Sequence, residues 1–442
     1  MPQYFSPGVY VEEVKPKAQT IAGTGTSTAG FMGVVEESVI LPIKPGAFQT
    51  DATGKIKLFK ADASGNVLLF ENGADGKPDV AKPTTNPTGK PIEDPTGKPL
   101  AAPYSLAKLN MPTLVTSWEE FKSNFGDFQM GNSTLAHAAY GFFNNGGTRC
   151  WILRIADLTS LANSLALFEP IDEIAIVAVP GAITQAQHTD MIAHCAKLQD
   201  RVAVLDGDSS KTPDAVSAIR PVGRSAEASY AAIYYPWLKV SNPLFNPLKP
   251  EEQPLMVNVP PSGHITGIYA RSDSTRGVFK APANEGVIGA LDTSRPISKA
   301  HQDGLNPEGI NVIRVFNGAV KVWGARTMAD EGTSQFRYVS TRRFFNFLRE
   351  SIAEGTQFAV FEPNSPSLWQ GITQTLNGFL LNQWRDGALF GATPEQAFFV
   401  KCDKDTNPKE VRELGQVITE IGVAIVKPAE FVIFRIQQTT GN

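Results

Sequence analysis

Few of the residue types that carry metal, redox or acid–base chemistry are present. Among 442 residues there are three cysteines and five histidines. Cys150, Cys195 and Cys402 lie far apart, and an odd, scattered set argues against a disulfide framework and fits a reducing folding compartment. There is no Cys-x-x-Cys and no Gly-x-Ser-x-Gly elbow. His188, His194 and Cys195 share one helical stretch, but the two histidines are six apart and so fall on different faces, unlike the i, i+4 pair of a zinc helix. His137, His264 and His301 have no partner at a ligand spacing. Gly23-Thr24-Gly25 invites a phosphate-loop reading, which fails because no Gly-Lys-Ser/Thr follows and Gly30 is misplaced for a dinucleotide fingerprint. No metal and no cofactor is expected. A net charge of −4 excludes a general nucleic-acid or anionic-membrane binder. No apolar run approaches the roughly 18 residues that span a bilayer. The first residues show neither a basic n-region nor an apolar h-region, so no Sec-type signal is visible.

What is there reads as a globular chain: 42% of residues are apolar and 19% charged, which no disordered composition matches. The length allows one large domain or two to three ordinary ones. From Thr113 an α/β pattern runs. Helices are expected over 117–125, 133–144 and 185–198, and strands over 149–155, 174–179 and 202–205, the last two forming a βαβ unit with the helix between them. Asp206 and Asp208 follow a strand's carboxyl end, where α/β enzymes place catalytic groups, and paired carboxylates there could hold Mg²⁺. That motivates one alternative, a carboxylate-dependent α/β hydrolase or phosphotransferase; the plainer reading is a solvated strand-to-helix loop. Residues 229–238 read as a buried strand ended by Pro236, 240–260 as loop, and 264–274 as a helix capped by Ser262. Asn317-Gly318 between two apolar runs is a strong hairpin signal. Tyr230, Tyr234, Tyr235, Trp237 and Trp323 could form a ligand cage, but aromatics in such numbers more often build core or subunit interface.

Residues 39–112 differ in composition. Two similar turn-plus-strand units, 52–59 and 63–70, predict a small β-hairpin or meander. Pro87-Thr88-Gly89-Lys90-Pro91 then repeats as Pro95-Thr96-Gly97-Lys98-Pro99, an extended linker.

The last hundred residues are the most clearly punctuated. A helix is expected from Ser340-Thr341 through Phe345, Leu348 and Ile352 to Gly355, then a strand over 357–362. Ser365-Pro366 opens a long helix carrying Trp369, Ile372, Leu376, Leu380 and Trp384, with Gly391 at its end. A strand over 397–402, a short helix from Asn407-Pro408, a strand over 417–425 and a terminal strand over 430–438 complete the chain. Short strands at both ends, the first fenced by Pro7 and Pro16, suit addition to a neighbour's sheet, although each could equally pair within its own subunit.

Several stretches, in order, resemble the contractile tail sheath family of phages, R-type pyocins and extracellular contractile injection systems of the antifeeding-prophage kind. They are Phe5-Ser6-Pro7-Gly8-Val9-Tyr10-Val11-Glu12-Glu13, Thr28-Ala29-Gly30-Phe31-Met32-Gly33 and Asn145-Gly146-Gly147-Thr148-Arg149-Cys150. They continue with Val259-Pro260-Pro261-Ser262-Gly263, Leu305-Asn306-Pro307-Glu308-Gly309, Gly324-Ala325-Arg326-Thr327 and the closing Val426-Lys427-Pro428-Ala429-Glu430-Phe431. No single motif decides; their order and spacing outside 39–112 do.

The resemblance implies a mixed α/β, multi-domain tail-sheath fold. Its expected parts are an N-terminal arm (1–22), a middle and outer domain (23–330) with the surface insertion 39–112, and a C-terminal inner assembly domain (331–442). It implies a structural, non-enzymatic subunit that forms six-membered rings stacked around an inner tube and contracts to drive the tube through a target envelope. Exchanged strands would be Val9, Tyr10, Val11, Glu12 and Glu13 at one end and Phe431, Val432, Ile433, Phe434, Arg435 and Ile436 at the other. Arg385 and Asp386, or Lys409, Glu410 and Arg412, would face the tube or else line a solvated helix. Implied partners are further copies of the chain, sheath paralogues, the inner tube protein, and baseplate and terminator or cap proteins, with no nucleic acid and no membrane insertion. Assembly in a bacterial cytoplasm and release by lysis are expected, and the placing of the insertion favours an injection system.

Overall fold

The computed structural model describes residues 20–42, 104–159, 161–330 and 335–433, with backbone strands at Leu58–Ala61, Val67–Phe70, Ile92–Glu93 and Pro99–Ala101. Val9, Tyr10, Val11, Glu12 and Glu13, and Phe434, Arg435 and Ile436, lie outside the described residues. The described chain forms two compact units. One is Thr26–Arg342; the other joins the residues up to Gly25 with those from Arg343 onward.

The larger unit is built in the order β1 (Ala29–Val34), β2 (Thr113–Val115), α1 (Trp118–Phe125), α2 (Ser133–Asn144), β3 (Cys150–Ile155), β4 (Ile176–Ala178), α3 (Gln185–Leu198) and β5 (Val202–Asp206). It continues with β6 (Ala231–Tyr235), β7 (Leu238–Ser241), β8 (Met256–Val259), α4 (Ser262–Arg276), β9 (Glu285–Gly286), β10 (Ala290–Thr293), α5 (Lys299–Leu305), β11 (Ile310–Phe316) and β12 (Ala319–Val322). Nine strands form one sheet in the order β9-β12-β11-β6-β5-β4-β1-β3-β2. The six central strands from β11 to β3 run parallel, and the strands outside them are antiparallel. Parallel strands need both faces covered, which is why β4, β5 and β6 are buried at every residue and read as continuous apolar runs. Alternate side chains feed two cores: Phe31 and Ile152 pack with Phe121, Phe142 and Tyr269 on one side, Met32 and Leu153 with Met191 and Leu205 on the other.

Helices α2 and α4 pack closely on the first of these cores. A Cβ on Gly263 would sit 2.3 Å from Ala138 Cα, and one on Gly267 would sit 2.5 Å from the Phe142 carbonyl oxygen, so only glycine permits the approach. The Asn317-Gly318 hairpin forms as expected, with both residues at positive φ (50° and 80°), the geometry of a type I′ turn. The 58–61 and 67–70 strands pair antiparallel, as the repeated turn-plus-strand units predict.

Two expectations change in this unit. The 240–260 stretch is not all loop: β7, β8 and β10 form a three-stranded antiparallel sheet, because Leu238 and Val240 alternate inward opposite Val259 and Val257. Ser262 does not cap α4; Pro261 takes that position and the Ser262 hydroxyl turns to Asp206 instead.

The smaller unit contains α6 (Val339–Gly355, which begins four residues before the boundary), α7 (Pro366–Arg385), β13 (Phe398–Lys401), α8 (Lys409–Glu413) and β14 (Glu420–Val423). Trp369, Ile372, Leu376, Phe379 and Leu380 are the buried stripe of α7, and the Phe347 ring packs 6.0 Å from Phe379. The strand expected over 357–362 is absent. A 3₁₀ turn spans Gln357–Ala359, and Phe361 takes φ +65°. A short connection between two helices offers these aromatic residues no strand to pair with. Helix α7 stops before Gly387, at φ +81°, rather than at Gly391, whose carbonyl accepts the Trp384 indole N–H. Asn407 marks the start of α8 without capping it: its side chain binds the N–H and C=O of Ile418 and so ties the β13–β14 connection together.

Candidate assembly surface

The carboxylates at the end of β5 come first, because an enzyme would use them. Asp206 is 1% exposed. Its Oδ1 accepts the Ser262 N–H at 2.8 Å, and its Oδ2 accepts the Gly181 N–H at 3.0 Å and the Ser262 hydroxyl at 2.8 Å. Burial pushes its pKa up to about 7, against the three donors, which favour the anion. Asp208 turns away to accept the Ser210 N–H at 2.9 Å. One carboxylate is thus a sealed clamp between β5, the 181 turn and α4, and the other shapes a turn. The geometry supports neither metal binding nor catalysis by the pair.

The histidines are likewise enclosed. His137, His188, His194 and His264 are all buried. Burial holds their pKa values below the ordinary histidine value, to about 4 for His188, His194 and His264. Among the described residues no group of three or more metal-ligating side chains converges. The aromatics make no ligand cage. Tyr234 and Tyr269 exchange a 2.7 Å hydrogen bond inside the core, Tyr235 donates to the Lys211 carbonyl, and Trp237 donates to the Gly207 carbonyl. Arg342 lies 4.1 Å over the Tyr230 ring, and Trp323 packs at 4.5 Å on Phe316.

The smaller unit is where the surface is unfinished. Among the described residues β13 and β14 form a two-stranded sheet, pairing Phe398 with Val423, Phe399 with Gly422, Val400 with Ile421 and Lys401 with Glu420. No residue of either strand is fully buried. A two-stranded ladder is marginal by itself, so packing on α7 and a further strand are what would stabilise it. Each strand carries one hydrogen-bonding edge that no described strand occupies.

Just past β14 the chain runs out into Phe431, Val432 and Ile433, which are 70%, 70% and 79% exposed and outside any strand. The expected terminal strand is therefore not formed by these three residues in the single chain. Arg385 and Asp386 at the end of α7, and Lys409, Glu410 and Arg412 on α8, are all exposed. Lys409 pairs with Glu413 at 3.5 Å, an i,i+4 contact of little energetic weight in water.

One feature of this surface is not legible as a site in the sequence. The Phe390 N–H donates to the Ala424 carbonyl at 2.7 Å, extending the ladder beyond β13. Phe390 thus stands opposite Ala424 as Phe399 stands opposite Gly422. Two phenylalanines share one side of the ladder, 73% and 57% exposed, over the two smallest residues of the facing strand. Only the Gly422 and Ala424 spacing hints at this, and only once the register is known.

Known proteins share this architecture. Residues 157–328 match the phage tail sheath protein central domain and residues 331–439 the phage tail sheath C-terminal domain. A putative prophage major tail sheath protein of Pseudomonas aeruginosa (strain UCBPP-PA14) is 25% identical over 271 residues, 60% of this chain. The match spans 64% of that relative's length. The sheath of an extracellular contractile injection system, PVC, in its contracted state aligns with 100% of this chain and 99% of its own at 25% identity and a TM-score of 0.68. The contracted helical sheath of the anti-feeding prophage aligns with 98% and 99% at 26% identity and a TM-score of 0.67. With two sheath-domain matches running almost without a gap from residue 157 to residue 439, and a mixed α/β fold shared with contracted sheaths, the chain belongs to the contractile tail sheath family of structural proteins.

Proposed function

We propose that copies of this chain polymerise as stacked six-membered rings around an inner tube, and that contraction of the polymer drives the tube through a target envelope. The observation that carries this reading is the end-to-end likeness to sheaths in the contracted state. The two-stranded ladder supports a mechanism for holding the polymer: its two open edges accept residues 9–13 of one neighbour and residues 431–436 of another. Each backbone hydrogen bond of such an added strand contributes about 0.5–1.5 kcal/mol net, so a single link is modest and a lattice of links is strong. Residues 331–442 act as the inner assembly domain, 1–22 as the linking arm, 23–330 as the middle and outer body, and 39–112 as an outward-facing insertion. The exposed charges Arg385, Asp386, Lys409, Glu410 and Arg412 contact the tube, and the ends of the polymer meet baseplate and cap proteins. Assembly takes place in the bacterial cytoplasm, and the particle leaves by lysis.

Negative-stain microscopy of the chain expressed alone tests this. Long hollow striated tubes are expected from the full chain, lost when residues 430–442 are removed and retained when residues 40–110 are removed. Stable monomers from the full chain at every concentration would overturn the reading.

A further inference from the structure

The Gly23-Thr24-Gly25 run that fails as a phosphate loop meets α6 within the smaller unit. Phe347, Ser351 and Gly355 recur every four residues along α6 and so share one face of the helix. Residues 21–24 lie along that face. The Thr24 N–H donates to Ser351 Oγ at 3.0 Å, and the two hydroxyls are 3.2 Å apart. Ser351 is fully buried, and Ile21 is only 6% exposed. Two glycines permit the approach. A Cβ on Gly23 would stand 2.9 Å from the Phe347 ring, and a Cβ on Gly355 would stand 2.5 Å from the Ile21 side chain. Ile21 therefore meets the last turn of α6 while Gly23 and Thr24 meet earlier turns, so the segment runs antiparallel to the helix.

This seat fixes where the linking arm begins. Only residues 14–20 join Ile21 to residues 9–13, a span of at most about 25 Å when fully extended. We infer that Ile21, Gly23 and Thr24, seated on Ser351 and Gly355, are the fixed anchor of the N-terminal arm. They stay on α6 of their own chain in the polymer and position residues 9–13 for a neighbour's ladder edge. The inference rests on the sheath reading and on the strand exchange proposed for residues 9–13. Ile21, Thr24, Ser351 and Gly355 are positioning residues, which act through the length of the tether. A short tether keeps the strand near the edge it pairs with and raises its effective concentration there. With the seat lost, the next contact along the chain is the Thr26 hydroxyl on Asp273 at 2.6 Å, and the tether grows from residues 14–20 to residues 14–25. Effective concentration falls roughly as the −3/2 power of tether length, so this lengthening weakens each link about twofold.

The test uses the full chain. Gly355→Ala puts a methyl group where the Ile21 side chain lies, at a helix position that alanine suits, so the chain should fold with the parent's circular dichroism. It should need about twice the parent's concentration or more to form tubes. Ile21→Ala removes the side-chain atoms that the new methyl group would strike, so the double variant Ile21→Ala, Gly355→Ala should recover the parent's threshold. A second measurement does not depend on the size of that shift. Thr24→Cys with Ser351→Cys replaces two hydroxyls 3.2 Å apart by thiols, while Cys150, Cys195 and Cys402 are buried. The new pair should form a disulfide, and the oxidised chain should form tubes as readily as the reduced one. A Gly355→Ala chain that assembles at the parent's concentration, or a double variant that recovers nothing, would overturn the inference and leave the sheath reading standing. Failure of the new cysteines to pair, or tubes from the reduced chain alone, would overturn it in the same way, since the segment would then leave α6 to assemble. A parent chain that never forms tubes would overturn both.

Discussion

Asp206 is the residue on which an enzymatic and a structural reading part company, and its environment makes the difference measurable. Three donors converge on a carboxylate with almost no exposure to water. Removing it leaves the Gly181 N–H, the Ser262 N–H and the Ser262 hydroxyl buried without acceptors, and each such loss costs roughly 1–3 kcal/mol. Asp206→Ala is therefore expected to destabilise the fold by about 3 kcal/mol or more in urea unfolding. Asp208→Ala, which gives up one turn hydrogen bond near the surface, should cost less than about 1 kcal/mol. Equal, small effects at both positions would mean that the clamp does not form. The sequence places the two aspartates at the carboxyl end of this strand, where Asp206 proves to be the last residue of β5 and Asp208 lies beyond it, but it cannot distinguish them: the partner Ser262 is 56 residues away and becomes a partner only when α4 starts beside β5.

At the scale of elements, glycines separate contacts made within the chain from space left open. Gly263 and Gly378 both lie in helices, yet the first faces Ala138 at a distance no Cβ tolerates, while the second has nothing within 4 Å. Gly263→Ala should force α2 and α4 apart at a cost of about 1–3 kcal/mol. Gly378→Ala should stabilise α7 by up to about 1 kcal/mol, the ordinary helix-propensity gain. Thermal unfolding of the two variants should move in opposite directions. The elements themselves were largely legible. The cap and proline at Ser365-Pro366, the periodic stripe of α7, the βαβ run from β4 to β5 and the Asn317-Gly318 turn are local signals, and the structure keeps all of them. What failed was non-local. The 357–362 run has strand-like composition but no neighbouring strand. β8 has weak composition and is a strand because β7 offers it an edge. The assembly surface was readable only as loose terminal strands; that Phe390 and Phe399 share a face follows from a register no periodicity within one strand reveals.

For the whole molecule, four buried histidines set a common response to acid. His188 has one ring nitrogen on the Ala182 carbonyl at 3.0 Å, and the Asp206 backbone also bears on its ring; among the described residues, His264 Nδ1 and His194 Nε2 are buried without hydrogen-bond partners. His264 lies near His137, and His194 beside Arg201, so a proton on either meets both desolvation and a cationic or potentially cationic neighbour. The fold therefore excludes protons that the unfolded chain accepts below pH 6.5, and it does so until about pH 4. Stability must fall as pH drops through that window, because the unfolded state binds more protons there. Asp206 works in the opposite sense. Its folded pKa of about 7 lies above the unfolded value of 3.8, so between those values the fold holds the extra proton and gains stability as pH falls. Three strongly perturbed histidines against one aspartate leave a net loss. A tenfold difference in proton affinity between the folded and unfolded chain is worth about 1.4 kcal/mol, so the net loss is on the order of several kcal/mol across the acid window. Urea unfolding between neutral pH and about pH 4 should show stability decreasing steadily toward acid, with His264→Phe flattening part of the slope. A profile that stays level or rises toward acid would show that the histidine sites admit water or protons in the folded chain, and that α2 and α4 are less tightly closed than their glycine contacts imply.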